Sequence, residues 1–240
     1  MAEIARLDKI LSTLGMSRTD AKKAVASGRV MVDGKPERDP GRKAAPEQVL
    51  LDGKPIVLET EIHLMIHKPA GVVTATEDKK LPTVVSLLPE KYRKRKIGPV
   101  GRLDRDVTGL VLMTTDGEMA HRLISPKWKA EKLYRATCEG MLTQADVDAF
   151  AAGLELSDFT AQPAQMTILS AGAESSVADV ILTEGKFHQV KRMFAAIGHP
   201  LTALERRRIG CVELDASLAP GAWRPLTAEE IAGLLTLCGM

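Results

Sequence analysis

The stretch GRLDRDVTGLVLMTTDGEMA, Gly101 to Ala120, decides how the rest of the chain is read. Gly109 to Thr114 is apolar and β-rich, which predicts a buried strand. Asp116-Gly117 predicts a turn, and Met119, Leu123 and Ile124 recur at the spacing of one helix face. In front of the strand, Arg102, Asp104, Arg105 and Asp106 crowd into a short loop. Gly101 permits an unusual backbone conformation there. Leu103 can anchor the loop in the core while its neighbours stay near solvent. Asp104 and Asp106 are two residues apart and share a side if the loop is extended. Two close carboxylates could do acid–base or nucleophilic work at a glycosidic carbon. A loop aspartate also commonly makes a local turn or capping hydrogen bond, and the stretch alone leaves both readings open.

Strand signals flank this stretch on both sides. Ile62, Leu64 and Ile66 alternate before the Pro/Gly turn of Lys68 to Gly71, and Lys132 to Cys138 and Val177 to Thr183 read as further strands. Pro82 stands near the start of a short helix, and Pro89 to Pro99 is a basic loop around Tyr92. Thr143 predicts an N-cap, with Asp146 three residues on, for a helix that turns Val147, Phe150 and Ala151 inward and ends at Gly153. KFHQVKRMFAAIG, from Lys186, predicts a helix burying Phe187, Val190, Met193, Phe194 and Ile197. Thr227 and Glu230 form a capping box for the last helix. Strands and helices mix without a βαβ rhythm, which predicts an α+β fold with a largely antiparallel sheet flanked by helices and loops.

The first 58 residues form a separate pattern. Leu7, Ile10, Leu11 and Leu14 mark one face of a short helix that stops at Gly15. Ser17 caps a second helix with Ala21, Ala24 and Val25 on its inner face, ended by Gly28. Val30 and Val32 run into the Asp33-Gly34 turn, and Asp52-Gly53 marks a second hairpin. A polar junction around Pro55 and Glu59-Thr60-Glu61 sets this small domain, 1–58, apart from 59–240.

Composition bounds the function. The chain of 240 residues is 45% hydrophobic and 27% charged, ordinary for a globular protein. No apolar run is long enough to cross a membrane, and MAEIARLDKI lacks the apolar core of a secretory signal, so a cytoplasmic location is expected. Cys138, Cys211 and Cys238 are an odd, scattered set without CxxC or zinc spacing. Reduced thiols are therefore expected and no metal site. Net charge is only +2, but it is segregated. Lys and Arg crowd residues 79–105, where the only acids are Glu90 and Asp104, and are missing from residues 136–185. They return at Lys186, Lys191, Arg192 and Arg206 to Arg208. Such segregation fits a basic face that meets a polyanion.

Two resemblances sharpen this. Arg6-Leu7-Asp8 with Leu11, then a basic helix, then Gly28, Val30, Val32, Asp33 and Gly34 resemble the S4 RNA-binding domain. The resemblance implies that Arg6, Arg18, Lys22, Lys23 and Arg29 grip structured RNA. The remainder resembles the pseudouridine synthases, in the RsuA-type branch that modifies ribosomal RNA. The motifs are His67 to Gly71, Gly101 to Asp104 with Thr108 and Gly109, Glu131 to Tyr134, Glu184 to Met193 without a break, and Leu204, Arg206, Arg208, Ile209 and Gly210. They stand in the family's order and, with the S4 pattern, cover nearly the whole chain. His67 departs from the family's usual Asn, and a packed or turn-capping role is expected for it.

The second resemblance implies that Asp104 is the catalytic aspartate, Lys191 its charge partner and Tyr134 a residue that stacks on the flipped uracil or assists proton removal. It implies further substrate contacts from Arg102, Leu103, His188, Gln189, Arg192 and Arg206. Additional phosphate contacts are expected from Arg93 to Lys96 and from Arg206 to Arg208. The expected reaction is isomerisation of one uridine to pseudouridine in 16S ribosomal RNA, by base flipping and without a cofactor. Naked RNA or a small-subunit assembly intermediate would be the partner, with the protein a monomer. A 23S ribosomal RNA enzyme, a non-catalytic ribosome assembly factor and a glycoside-type hydrolase using Asp104 and Asp106 are the alternatives.

Overall fold

The computed structural model describes residues 4–56 and 61–240. The chain divides into two compact units after Thr60. The expected boundary at 58/59 lies outside the described residues.

In the first unit, helix α1 (Leu7–Thr13) buries Leu7, Ile10 and Leu11, and helix α2 (Arg18–Ala26) buries Ala21, Ala24 and Val25. Ser17 caps α2 by accepting from the Asp20 amide. Four short strands form a sheet after them: β1 (Val30–Val32), β2 (Lys35–Glu37), β3 (Val49–Leu51) and β4 (Lys54–Pro55), in the spatial order β2-β1-β3-β4. Asp33-Gly34 and Asp52-Gly53 both turn with two positive φ angles, 51° and 76°, then 51° and 77°. That geometry matches the right-handed twist of the strands it joins, which is why Asp-Gly is favoured there.

The second unit is built on a nine-stranded sheet. Its main strands are β5 (His63–Lys68), β6 (Thr108–Thr114), β7 (Lys132–Glu139), β8 (Gln165–Ala171), β9 (Ser175–Leu182), β10 (Leu201–Ile209) and β11 (Trp223–Pro225). The order across the sheet is β8-β9-β7-β10-β6-β5-β11. Among these only β6 and β10 pair in parallel.

β5 and β6 are buried on both faces. Leu64, Ile66, Val111 and Met113 enter the larger core with Phe150 and Phe194, while Met65, Leu110 and Leu112 enter a second one. Helices α4 (Gln144–Ala152) and α5 (Gln189–Ala196) supply Phe150 and Phe194 to the first core. Helices α3 (Gly117–Ile124) and α6 (Ala228–Leu237) supply Met119, Leu123 and Leu234 to the second. Central strands covered on both sides read as continuous apolar runs, as GLVLM does.

Several local expectations change. Asp116 is the N-cap of α3, its carboxylate accepting from the amides of Glu118 and Met119 at 2.9 and 3.0 Å. Ala151 and Ile124 are exposed at the ends of their helices rather than buried. α5 begins three residues later than its apolar spacing suggests, because His188 sits in the left-handed region at φ 50° and caps it. Lys186 and Phe187 therefore belong to a loop, and Phe187 is 72% exposed. Tyr92 of the basic loop is buried, with its ring edge-on to Trp223 at 5.1 Å.

Candidate active site

The sheet topology brings the dispersed motifs together. Arg206 of β10 lies beside Gly109 in the parallel pairing with β6. Gly109 has φ 104°, and a Cβ there would come within 2.3 Å of the Arg206 carbonyl oxygen. The last glycine of the GRLDRDVTG stretch is thus required by the passage of β10, a strand nearly a hundred residues away in sequence. On its other side β10 pairs with β7, and a bulge between Leu133 and Tyr134 sets Arg206 opposite Tyr134. Bulges re-aim side chains and are common next to active sites.

The Arg102–Asp106 loop is clamped from below. Thr74 Oγ1 accepts from the Leu103 amide at 3.1 Å and donates to the Leu103 carbonyl at 2.9 Å. Leu103 is buried, so its part is that of an anchor. Lys68 is 0% exposed. Its ammonium donates to the carbonyls of Pro69, Arg105 and Val107 at 2.9, 3.2 and 2.6 Å. Burial pulls its pKa down to about 8, against the opposing pull of the Asp106 and Asp104 carboxylates. Three carbonyl acceptors satisfy all three donors of the charged form. The Gly71 amide also donates to the Arg105 carbonyl, at 2.8 Å. Lys68 and Thr74 hold the loop in place, a part that sequence reasoning missed. The Lys68-Pro69 motif pointed at the place, but two of its targets, the Arg105 and Val107 carbonyls 37 and 39 residues downstream, have no sequence pattern.

Held this way, Asp104 lines three adjoining cavities: an open one of about 840 Å³ that it shares with Asp106, and two that it shares with Tyr134. Of the latter two, one, of about 80 Å³, is walled by Leu103, Val107, Tyr134, Leu182, Val190 and Leu204. The other, of about 380 Å³, also includes Arg102, Tyr134 and His188. Asp104 Oδ2 lies 3.4 Å from Lys191 Nζ, and Oδ1 lies 3.3 Å from His188 Nε2. Lys191 is thus the expected neighbour of Asp104, but its two hydrogen bonds go to Asp106, at 2.7 and 2.8 Å. These bonds hold the Asp106 carboxyl below its usual range. Asp106 is the tighter partner of Lys191. Tyr134 is buried in the wall between strand and cavity.

The other expected contacts divide between the cavities and the rest of the surface. Arg192 pairs with Asp158, reaches Ser157 at 3.1 Å and lies over the Phe159 ring, outside all three cavities. Gln189 lines the smaller cavity, but its amide is engaged by protein. Nε2 donates to Glu184, and Oε1 accepts from the Lys186 amide. It shapes the loop ahead of α5. Arg206 is 3% exposed and lines the larger cavity, so it faces inward and is not part of an outer basic surface. Arg207 pairs with Glu205 and Arg208 with Glu131, which neutralises the rest of that basic run. His67 donates through Nδ1 to the Leu218 carbonyl at 2.8 Å and plays no part in lining the cavities. Arg6 pairs with Asp8 and Arg29 with Asp52, whereas Arg18, Lys22 and Lys23 are exposed with no carboxylate within 4 Å among the described residues. Among those residues no group of three His, Cys, Asp or Glu side chains could hold a metal, and no helix is long and apolar enough to cross a membrane.

Comparison with known proteins supplies the class. Residues 62–196 match the RNA pseudouridylate synthase family and residues 5–50 match the S4 domain. The chain therefore belongs to the RNA pseudouridylate synthases: it is an isomerase that converts uridine to pseudouridine in RNA. Its relatives are near in sequence and full in length. It is 42% identical to the ribosomal small subunit pseudouridine synthase A of Escherichia coli (strain K12), over 96% of this chain and 100% of that protein. It is 39% identical to an uncharacterized RNA pseudouridine synthase of Bacillus subtilis (strain 168), over 94% and 96%. The crystal structure of a pseudouridylate synthase superposes with a TM-score of 0.68 at 34% identity, over 96% of this chain and 99% of that one.

Proposed function

We propose that this enzyme isomerises one uridine of small-subunit ribosomal RNA, with Asp104 as the catalytic carboxylate. The observation that carries the proposal is the position of Asp104: on a clamped loop, at the junction of three cavities, with Lys191 and His188 within 3.4 Å. In the overall change the N1–C1′ bond breaks, C5 bonds to C1′, the C5 proton leaves and N1 gains a proton. Atoms and charge balance without a redox partner or an energy source. Asp104 acts at the ribose–uracil linkage, and Lys191 supplies the positive charge beside it.

The small cavity is lined by the aliphatic side chains of Leu103, Val107, Leu182, Val190 and Leu204 and the ring of Tyr134, together with polar groups that include Asp104, Glu184, Gln189 and Lys191. Such walls suit a planar base that must turn over while detached, and Tyr134 offers it a ring face. A stacked base cannot enter a pocket of this kind, so the target is extruded from the RNA, at a cost of a few kcal/mol if it is paired. Arg102 is exposed at the mouth with no carboxylate partner among the described residues, and it meets the strand from which the base leaves. The first unit grips RNA through Arg18, Lys22 and Lys23 on α2. The small-subunit assignment follows the Escherichia coli relative, and the protein acts as a monomer in the cytoplasm on free RNA or an assembly intermediate.

The test is a pseudouridine map of ribosomal RNA from cells with and without the protein. One small-subunit site missing from the deletion strain is expected. A missing large-subunit site would move the substrate to the other subunit, and an unchanged map would contradict ribosomal RNA as substrate.

A further inference from the structure

The cleft of about 380 Å³ beside the uracil cavity carries two features that isomerisation of one base does not use. The first is a pair of inward cations. Arg206 is almost wholly buried, its Nε donates to the Leu110 carbonyl at 2.8 Å, and among the described residues its Nη2 has no hydrogen-bond partner. Lys132 stands two residues before Tyr134 on the same face of β7 and gives one hydrogen bond, to the Ala130 carbonyl at 2.9 Å. Among the described residues no carboxylate lies within 4 Å of either group. Burial and the neighbouring Arg206 charge push the Lys132 pKa down to about 8. Two unpaired cations side by side in a partly buried cleft repel each other and lack solvent, an arrangement that an entering anion relieves. Asp104, the only carboxylate lining the cleft among the described residues, is already flanked by Lys191 and His188.

The second feature is apolar. Phe187 and Ile124, two of the most exposed large hydrophobic side chains, both line this cleft. Phe187 stacks on His188 with ring centroids 3.7 Å apart, leaving its other face open to solvent. Exposed aromatic faces beside cationic grooves are the usual platform for unpaired bases.

We propose that this cleft is a second nucleotide subsite: it takes the nucleotide next to the target uridine, with a phosphodiester on Arg206 and Lys132 and the base on Phe187, framed by Ile124. A guanidinium fork and an ammonium together match the non-bridging oxygens of a phosphodiester, whereas a neutral uracil carbonyl would leave both charges uncompensated. The proposal rests on the RNA-modifying role above and adds a residue-level source of sequence context. The enzyme reads the neighbour of its target, and that neighbour must be unpaired.

The test is a binding cycle that needs no turnover. Asp104→Asn protein, with and without Lys132→Met, is titrated with hairpins of the small-subunit sequence in which single linkages around the target are replaced by neutral methylphosphonates. Lys132→Met is expected to lower affinity about tenfold and to reduce the salt dependence by about one phosphate contact. One linkage adjacent to the target is expected to cost the parent the same factor when neutralised, and the Lys132→Met protein nothing further. In parallel, Phe187→Ala is expected to cost about tenfold on RNA with a base at the neighbouring position and nothing on RNA that is abasic there, with Phe187→Trp restoring affinity. Equal losses in parent and variant at every linkage, or an abasic RNA that still distinguishes Phe187 from Ala, would overturn the subsite. Phe187 is exposed, so its arm stands even where Lys132→Met disturbs folding. Pseudouridine formation by the unsubstituted enzyme on the same hairpins is measured separately. Its failure would count against the catalytic proposal, while the binding cycle would still decide the subsite.

Discussion

Asp104 and Asp106 stand two residues apart, share Lys191, and occupy different worlds. Asp104 is recessed, with a side chain 29% exposed that borders the two cavities it shares with Tyr134. Asp106 is at the outside, 73% exposed, and takes both short hydrogen bonds of the lysine. Distance to the cation would nominate Asp106 as the functional carboxylate. Access to an enclosed space nominates Asp104, because a detached base must be held where water is scarce. The comparison also weakens the hydrolase alternative, since a single lysine sits on both carboxylates and one of them faces solvent. Asp106 instead tethers Lys191, and through it α5, to the loop that carries Asp104.

The comparison can be broken at several points. Lys191→Met removes the cation from both carboxylates. The pair is neither fully exposed nor fully buried, so a loss of about 2 kcal/mol is expected, or about thirtyfold in single-turnover rate. A change under threefold would mean that Lys191 serves neither carboxylate in catalysis. Thr74→Val leaves the Leu103 amide and carbonyl without their shared hydroxyl and is expected to cost about 1–3 kcal/mol in denaturant unfolding. Unchanged stability would mean that the loop is held by Lys68 and Gly71 alone.

Asp106→Asn is expected to change the isomerisation rate by no more than about threefold and stability by under about 1 kcal/mol. Its effect has a pH signature. The Lys191 contact lowers the Asp106 pKa in the folded protein, so its contribution is fully present above the ordinary aspartate range and disappears as pH falls through the depressed value. The stability difference between wild type and variant is therefore flat near neutrality and closes only in acid. A difference that instead closed on raising the pH from neutrality would contradict the assignment. Smallest in its effect on turnover is Lys22→Gln on α2, expected to reduce RNA affinity about threefold and the salt dependence by about one unit with the saturated rate unmoved.

Much of the architecture is legible in the sequence. The Ser17 cap, the Asp33-Gly34 and Asp52-Gly53 turns and the Thr227–Glu230 box follow from local rules, and each stands where those rules place it. The motif residues Asp104, Tyr134 and Lys191 converge on one site, although no motif states how. What is not legible is non-local. Phe187 fits the apolar spacing of α5, but a left-handed His188 starts the helix after it. Arg206, Arg207 and Arg208 look like one basic patch. In the folded chain a bulge aims the first inward, and Glu205 and Glu131 neutralise the others. Arg192 is taken by Asp158, a pairing across 34 residues that no periodicity reveals. Charge in a sequence counts toward binding only after its intramolecular partners are known.

The most direct measurement is of Asp104→Asn on small-subunit RNA, with affinity and pseudouridine formation read on the same preparation. The account predicts RNA affinity within about twofold of wild type and no detectable pseudouridine, while Asp106→Asn on the same RNA stays within about threefold of the wild-type rate. Pseudouridine formed by the Asp104→Asn protein, or lost instead in the Asp106→Asn protein, would contradict it.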